Sequence, residues 1–360
     1  MRGEKERQAT MLVGATAEDL VPARHPIRRI REVVDRLLEE LSPVFAEMYA
    51  ERGRPSIPPE HLLKSTLLMA LYSIRSERQF CERLQYDLLF KWFLGLNIMD
   101  RAFNPTTFTH NRERLLKHQV AEAFLAATVA EARRQRLLSE DHFSVDGTLL
   151  QAWASLKSFR PRDDQDPPPG GGRNAPANFH GQQRTNETHV ATSDPEARLM
   201  RKGSQQEAKL CFAGHLLTEN RNGLIVEALL SEASGRAERE AALRLVGRHG
   251  LRPGATLGAD KAYDTRSFVA DLQAQGVVPH IARNTSGRRS AVPEAVAATP
   301  GYAISQRRRK LVEEPFGWLK TVAQSRKLRY LGVARNQLWF LIAAAGYNLI
   351  RLAKLSPQPA

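Results

Sequence analysis

The chain has 360 residues, with 53 Lys and Arg against 39 Asp and Glu, a formal net charge of +14 at pH 7 and a pI near 10.1. A hydrophobic fraction of 42% can build packed cores at this length, which excludes a wholly disordered chain and leaves two domains or one large one. The longest apolar run, Leu338 to Gly346, is about half of what signals a spanning helix. Met1 to Arg7 is charged and no apolar core follows it, so neither a membrane span nor an export signal is expected. The two cysteines, Cys81 and Cys211, exclude a disulfide framework and a Cys-rich zinc module. They read as small buried apolar residues in a reducing cytosol. The positive balance points to a polyanionic partner without saying which.

Residues 1–24 lack periodicity and read as a flexible tail. From 25 to 138 the pattern is helical. Ile27, Ile30, Val33, Val34, Leu37, Leu38 and Leu41 recur at three and four, one face of an amphipathic helix. Ser56 with Pro58, Pro59 and Glu60 opens a second helix carrying Leu62, Leu63, Leu67, Leu68 and Leu71, because proline is tolerated in a first turn. A third helix begins near Ser76. Asn104-Pro105-Thr106-Thr107 reads as a turn and N-cap before a helix from about Phe108, and a long helix runs from about Val120 to Leu137. This all-α segment is expected to bury a core of its own.

At His142 the pattern changes. His142 to Asp146 reads as a short strand ending in a carboxylate. A Pro/Gly-rich insertion over about 160–206 follows as a long loop. β-prone residues return at Ala208 to Thr218. The turn Glu219 to Gly223, with Asn-Gly at its end, joins them to Leu224 to Leu230 as a hairpin. Then come a helix from about Arg236 to Val246, a strand from Ala255 to Asp260, a helix from about Thr265 to Gln275 and a strand from Val277 to Ile281. Helices from about Val312 close the chain. The fold class is therefore α/β over 139–355, a mixed sheet flanked by helices, preceded by an all-α segment.

Two of these strands end in an aspartate, Asp146 and Asp260. In α/β sheets ligands collect at the carboxyl ends of strands. The charge is uneven as well: between Ile281 and Arg335 stand twelve basic residues against Glu294, Glu313 and Glu314, a surplus of nine in a chain whose net charge is +14. So one-sided a block reads as a phosphate-contacting surface rather than a solvated helix face, which usually mixes signs. Within it, Arg309, Glu313 and Lys320 fall on one face of a helix. That face has two readings: a salt-bridged surface, or a metal ligand with phosphate contacts on either side. Three hard carboxylates, Asp146, Asp260 and Glu313, suit Mg2+, which prefers oxygen donors. Two such ions held together can serve phosphodiester cleavage.

These residues also carry a resemblance. Gly53 to Glu60, Leu71 to Gln79 and Leu88 to Phe93 resemble the N-terminal helical domain of the DDE transposases of bacterial insertion sequences, specifically the insertion-sequence family five group. Phe143-Ser144-Val145-Asp146-Gly147-Thr148 resembles that group's first-Asp motif, and Gln151 to Phe159 the run that follows it. Gly258-Ala259-Asp260-Lys261-Ala262-Tyr263-Asp264 resembles the second. The third motif, Y-(2)-R-(3)-E-(6)-K, is similar to Arg309, Glu313 and Lys320 at the right spacings, with Gln306 where the family has Tyr.

The resemblance implies an RNase H-like catalytic domain in which Asp146, Asp260 and Glu313 hold two Mg2+ ions, with Mn2+ able to substitute. It implies cleavage of double-stranded DNA at terminal inverted repeats and strand transfer into target DNA, by a homodimer or larger assembly in the cytoplasm, associated with the nucleoid. Arg309 and Lys320 would hold DNA backbone, with Arg307, Arg308, Arg288 and Arg289 adding affinity, and residues 25–138 would recognise the DNA ends. The competing readings are a catalytically inactive or repurposed DNA-binding protein and a metal-dependent nuclease without strand transfer. Pro315 requires that a helix start near Val312 or kink, since proline cannot donate to the carbonyl of Leu311. Asp264 reads as a helix N-cap, Glu314 as a surface group, Trp318 and Tyr263 as packing. His142 has no assigned place, and Asp194 to Arg198 with Lys202 reads as a surface turn.

Overall fold

The computed structural model describes residues 14, 16–49, 56–162, 184–203 and 206–356. About half of the expected insertion and the Gly53 to Pro55 part of the first resemblance lie outside these residues. The first part of the chain forms α1 (Ala17–Leu20), α2 (Ile27–Glu40), α3 (Ser42–Glu47), α4 (Pro59–Leu71), α5 (Glu77–Tyr86), α6 (Leu88–Leu94), α7 (Thr106–Lys117) and α8 (Val120–Arg134). The second contains β1 (His142–Gln151), β2 (Phe159–Pro161), β3 (His189–Ala191), β4 (Arg198–Met200), β5 (Lys209–Glu219), β6 (Ile225–Glu232), α9 (Ala237–His249), β7 (Thr256–Ala259), α10 (Arg266–Ala274) and β8 (Val278–Ile281). It closes with α11 (Glu294–Ala297), α12 (Pro300–Arg308), α13 (Glu313–Thr321) and α14 (Val333–Leu355).

The helical periodicity is realised as read. Ile27, Ile30, Val34, Leu37, Leu38 and Leu41 are all buried. Pro59 opens α4 at a position where its missing N–H costs nothing, and Ser76 caps α5 by accepting from Gln79 N–H at 3.1 Å. The expected tail is partly built: α1 includes Glu18, which takes the indole N–H of Trp92 and pairs with Arg28. Asp87 splits the third helix in two by capping α6 through Phe90 N–H.

The helical segment does not bury a core of its own. α14 packs against α2, α4, α7 and α8 on one side and against β6 on the other, and one continuous hydrophobic cluster runs through both parts. Gly346 permits the close approach of α14 to α4, since a Cβ there would lie 3.2 Å from Leu67 Cδ1. By length and composition α14 could cross a membrane, although 72% of its apolar window is buried inside the protein. It is the central core helix. Polar groups hold it in place: Asn348 accepts from Ile225 N–H at 2.9 Å and donates back to its carbonyl at 2.7 Å.

The main sheet runs β4-β5-β1-β7-β8, with β6 also on β5. β5 is antiparallel to β1, while β7 and β8 are parallel to it, so the sheet is mixed as expected. β4 and β6 share one edge of β5, β4 beside Lys209–Cys211 and β6 beside the stretch from Phe212 to Thr218. Cys81 and Cys211 are free and buried, and burial pushes both thiols up to about 12, as their reading as small core residues requires.

Candidate active site

Asp146 does not end its strand as expected; β1 continues to Gln151 against β5. What ends near Asp146 is the parallel ladder to β7, whose last pair is Ser144 with Gly258. Carrying that register two residues further brings Asp146 level with Asp260, whose backbone is still extended. Alternation turns both towards the face of Ser144 and Gly258. Asp146 accepts from Gly147 N–H at 2.8 Å, and Asp260 from Ala262 N–H at 2.7 Å. Burial pushes the Asp146 carboxyl up to about 6; the Gly147 N–H opposes this, the charges of Asp260 and Glu238 add to it, and Arg309 opposes it. The two aspartates are thus a close, electrostatically coupled pair.

The third motif lies over this pair. A Cβ on Gly258 would sit 3.0 Å from Ser144 Oγ and 3.3 Å from Arg309 Cβ, so glycine there lets the Arg309 backbone settle on the sheet. The motif is not one helix: α12 ends at Arg308, a 3-10 turn covers Arg309–Val312, and α13 starts at Glu313. Pro315 is therefore a first-turn residue, the first of its two alternatives. Because of the break, the three motif residues diverge. Arg309 faces the aspartates. Lys320 donates to Thr148 Oγ1, on the Asp146 face of β1. Glu313 is exposed and has no hydrogen bond or ion pair among the described residues. Gln306, in place of the motif tyrosine, donates to the His280 carbonyl at 2.6 Å and accepts from Arg309 Nε at 3.1 Å.

The basic block divides by use. Arg307, Arg308, Arg289 and Lys310 are exposed. Arg283 pairs with Glu294 at 2.7 Å and Arg335 with Glu113 at 2.8 Å. Arg329 lies 3.5 Å from the centroid of the Trp339 ring and is pushed down to about 10, chiefly by burial. Arg288 donates to the Asp264 carbonyl. A single phosphate-contacting surface is thus too broad a reading, since part of the block is structural. Around Asp146 a cationic rim does form: burial, then Lys202 and Arg326, depress the Lys320 ammonium, while Asp146 opposes them.

The remaining candidates sort as follows. Asp264 is not the N-cap of α10; Thr265 is, accepting from Phe268 N–H. Asp264 instead fastens the basic loop through Asn284 and Ala291 N–H at 2.7 and 2.8 Å. Burial raises its carboxyl, and these N–H groups with Ser290 outweigh that and hold it low. Glu314 pairs with Arg351 at 2.9 Å, as a surface group would. Trp318 packs edge-on against Tyr347. Asp194 and Glu196 accept from Gly332 and Val333 N–H at the start of α14. His142 bonds Thr256 Oγ1 at 3.0 Å at the far end of β1.

Two residues escaped the sequence reading. Glu238, in the first turn of α9, couples to both aspartates; it lies in no motif, and only its place on a helix after the hairpin could have flagged it. Trp153 is 51% exposed, with Lys327 Nζ 4.9 Å and Arg75 Cζ 5.9 Å from its ring centroid. It follows the first-Asp motif closely, and that position was the available signal.

Among the described residues no group of three or more His, Cys, Asp or Glu is arranged to hold a metal ion. The Asp146–Asp260 pair nevertheless fits a hard divalent cation. Mg2+ is commonly held by one or two carboxylates plus substrate phosphate rather than by an all-protein cage, and the mutual repulsion at Asp146 is what a cation relieves.

The class follows from this arrangement together with family comparisons. A transposase-domain family matches residues 15–114, and a Transposase DDE domain family matches residues 180–349. The chain thus carries the domains of a DDE transposase, and its mixed sheet fits the RNase H-like α/β fold. The second match includes Asp260 and Glu313 and starts after Asp146. Among solved structures, the piggyBac transposase synaptic complex with hairpin DNA aligns with 91% of this chain and 75% of its own, at 11% identity and a TM-score of 0.41. The pre-cleavage Mos1 transpososome aligns with 84% and 80%, at 12% identity and a TM-score of 0.20. No curated protein matches the chain.

Proposed function

We propose that this DDE transposase cleaves double-stranded DNA at terminal inverted repeats and transfers the freed 3′ ends into target DNA, using Asp146 and Asp260 to hold Mg2+, with Mn2+ able to substitute. The observation that carries the reading is the aspartate pair at the end of the β1–β7 ladder, overlaid by Arg309 and flanked by Lys320. Bound there, a hard divalent cation supplies Lewis acidity towards a phosphodiester and its attacking oxygen. The chain itself supplies orientation. Arg309 is held from the β8 side through Gln306, and Lys320 is anchored on Thr148, so both cations are set to receive phosphate beside the carboxylates. Glu313, exposed at the start of α13, is the motif acid that would join the pair once DNA is in place, completing a site for two ions.

The motif order supports membership of the insertion-sequence family five group. Helices α2 to α8 are proposed to recognise the terminal repeats, in a homodimer or larger assembly on nucleoid DNA in the cytoplasm. The test is Mg2+-dependent cleavage of a duplex bearing the inverted repeats that flank the coding region. Asp146→Ala, Asp260→Ala and Glu313→Gln should each abolish cleavage while leaving DNA binding. Full activity in any variant removes that residue from the site. DNA binding without cleavage by the wild type would favour a repurposed binding protein, and cleavage without joining a nuclease.

A further inference from the structure

We infer that a pocket beneath α12, walled by Asn220, Arg221 and Arg308, grips one backbone phosphate of bound DNA a few nucleotides from the phosphodiester at the aspartate pair. This rests on the reading of the chain as a DNA-cleaving transposase and deepens it, by giving the substrate a second point of attachment away from the carboxylates.

A cavity of about 320 Å3 opens between the start of β1, the β5–β6 turn and one face of α12, where Ile304, Ser305 and Arg308 line it. That volume is in the range of small-ligand sites. Asn220 N–H donates to the His142 carbonyl at 2.9 Å, which sets Asn220 level with His142 at the start of β1. Alternation turns His142, Ser144 and Asp146 to one face of the sheet, and the Ser144 hydroxyl donates to Asn220 Oδ1 at 2.7 Å. The pocket and the aspartates therefore share that face. His142 and Asp146 are four residues of β1 apart, or about 13 Å at about 3.3 Å per residue. Arg309 settles over Gly258, beside Ser144 and between the two places. Consecutive arginines thus serve two sites: Arg308 lines the pocket, and Arg309 faces the aspartates.

The polar groups in the wall say what the pocket takes. Asn220 is 6% exposed, and its Nδ2 has no hydrogen-bond partner among the described residues. A buried donor without a partner costs free energy, and an acceptor can reach this one from the cavity that Asn220 lines. Arg308 is exposed and has no hydrogen bond or ion pair among the described residues. Arg221 donates to a backbone carbonyl, that of Arg136 at 3.3 Å, and pairs with no carboxylate among them. The acid in the wall, Asp141, is already paired with Arg252. One neutral donor and two uncompensated guanidinium groups ask for an oxyanion, and the guanidinium fork suits phosphate oxygens. DNA is the source that matches the spacing. At about 3.4 Å per nucleotide of each strand, 13 Å is about four nucleotides, so one strand can present one phosphate at Arg309 and another at Arg308. Ile304, 50% exposed on the pocket wall, gives the attached deoxyribose an apolar rest. The plain alternative is a crevice in which water takes the Asn220 donor.

The test is the affinity of the full chain for a duplex bearing the inverted repeat, measured by fluorescence anisotropy over a range of salt. Arg308→Ala should flatten the plot of log affinity against log salt by about one, at roughly 0.9 per phosphate contact. Adding Arg221→Ala should leave the slope there, because both arginines serve one phosphate; a change of about two makes them separate surface contacts and overturns the inference. Asn220→Asp keeps the acceptor for Ser144 and sets a negative charge where the phosphate would lie, so it should weaken duplex binding by about tenfold or more. Wild-type affinity in that variant means a water-filled crevice. Should Asn220→Asp melt lower, Arg308→Ala decides, since it alters an exposed, unpaired side chain. A neutral methylphosphonate placed singly along the strand should reproduce the loss at one position about four nucleotides from the cleaved bond, where Arg308→Ala costs nothing further; the absence of such a position overturns the inference. Inorganic phosphate and deoxyadenosine monophosphate are titrated in parallel by calorimetry. Tight binding of either, lost in Asn220→Asp while duplex affinity stays at the wild-type level, assigns the pocket to a free anion instead. An unchanged slope in Arg308→Ala, with the duplex still bound and cleaved, overturns the inference and leaves the transposase reading standing. A wild-type chain that binds no duplex removes that reading itself.

Discussion

Arg309 donates to Gln306 at 3.1 Å, and Gln306 in turn donates to the His280 carbonyl at 2.6 Å. The residue that departs from the family motif is thus the link between β8 and the motif arginine. Gln306→Ala should release Arg309 from its position over the aspartates. One or two hydrogen bonds of about 1 kcal/mol each are lost, so the melting temperature should fall modestly while cleavage falls by about tenfold or more. Gln306→Glu keeps the acceptor for Arg309 but loses the donor to the His280 carbonyl, so it should recover only part of the activity. Equal losses in both variants would mean that Gln306 serves the fold rather than Arg309.

Gly258 offers a test from the sheet side. An added methyl would press on Ser144 Oγ and on Arg309 Cβ, the latter attached directly to backbone that cannot rotate away. Gly258→Ala should destabilise the protein by about 1–3 kcal/mol, the usual cost of overpacking, measured by urea unfolding. It should also reduce cleavage more than DNA affinity, because it lifts the third motif while leaving the exposed cations in place.

The sequence carried the periodic and punctuated parts of the fold well. The α2 and α4 faces, the hairpin ended by Asn222 and Gly223, and the β7–α10–β8 run lie where spacing put them, because local pattern and burial agree there. It failed where tertiary contact decides. Nothing local says that α14 threads among the N-terminal helices, or that Asp146 lies mid-strand where only one of two ladders stops. Asp260 was legible from its strand-end position, and Asp146 from its motif although it lies mid-strand. Glu238 was not, since its coupling to the pair arises only through the fold. The basic block was legible as charge but not as use: Arg329 beneath Trp339 and Arg307 in solvent look alike in a sequence.

That division of the basic block can be measured. Arg307→Ala with Arg308→Ala removes two exposed cations. It should flatten the plot of log affinity for DNA against log salt by about two, at roughly 0.9 per phosphate contact, with an unchanged melting temperature. Arg329→Ala should do the reverse, lowering the melting temperature through lost packing on Trp339 and leaving the salt slope alone. A salt slope unchanged in the double variant would take α12 out of the DNA contact.

Trp153 should contribute by stacking rather than by charge. An exposed indole beside Lys327 and Arg75 offers a face to an unpaired base at a DNA end. Trp153→Ala should weaken binding to a duplex with a single-stranded end by about 1–3 kcal/mol, and binding to a blunt duplex much less. Trp153→Phe should restore part of the difference. Equal losses on both substrates would assign Trp153 to the fold instead.

The acid stability of the protein sets two histidines against the active-site aspartate. His215 and His280 are each pushed down to about 4 from 6.5, chiefly by burial. His215 bonds Ser231 at 2.9 Å and His280 bonds Ser305 at 2.7 Å. Between those pH values the unfolded chain binds the proton and the folded one does not, so each histidine removes stability as pH falls from about 6.5 to 4. Asp146 has the opposite sign: its carboxyl is raised from 3.8 to about 6, so the folded state binds the extra proton in that window and gains stability as pH falls. Each difference of one proton is a slope of about 1.4 kcal/mol per pH unit. In chelator, Asp146→Asn should therefore lose stability with acid more steeply than the wild type between pH 4 and 6, by up to that slope. His215→Gln should lose it less steeply by a similar amount. Urea unfolding at several pH values reads both slopes directly, and parallel curves for Asp146→Asn and the wild type would show that the buried aspartate carries its charge in the fold throughout this range.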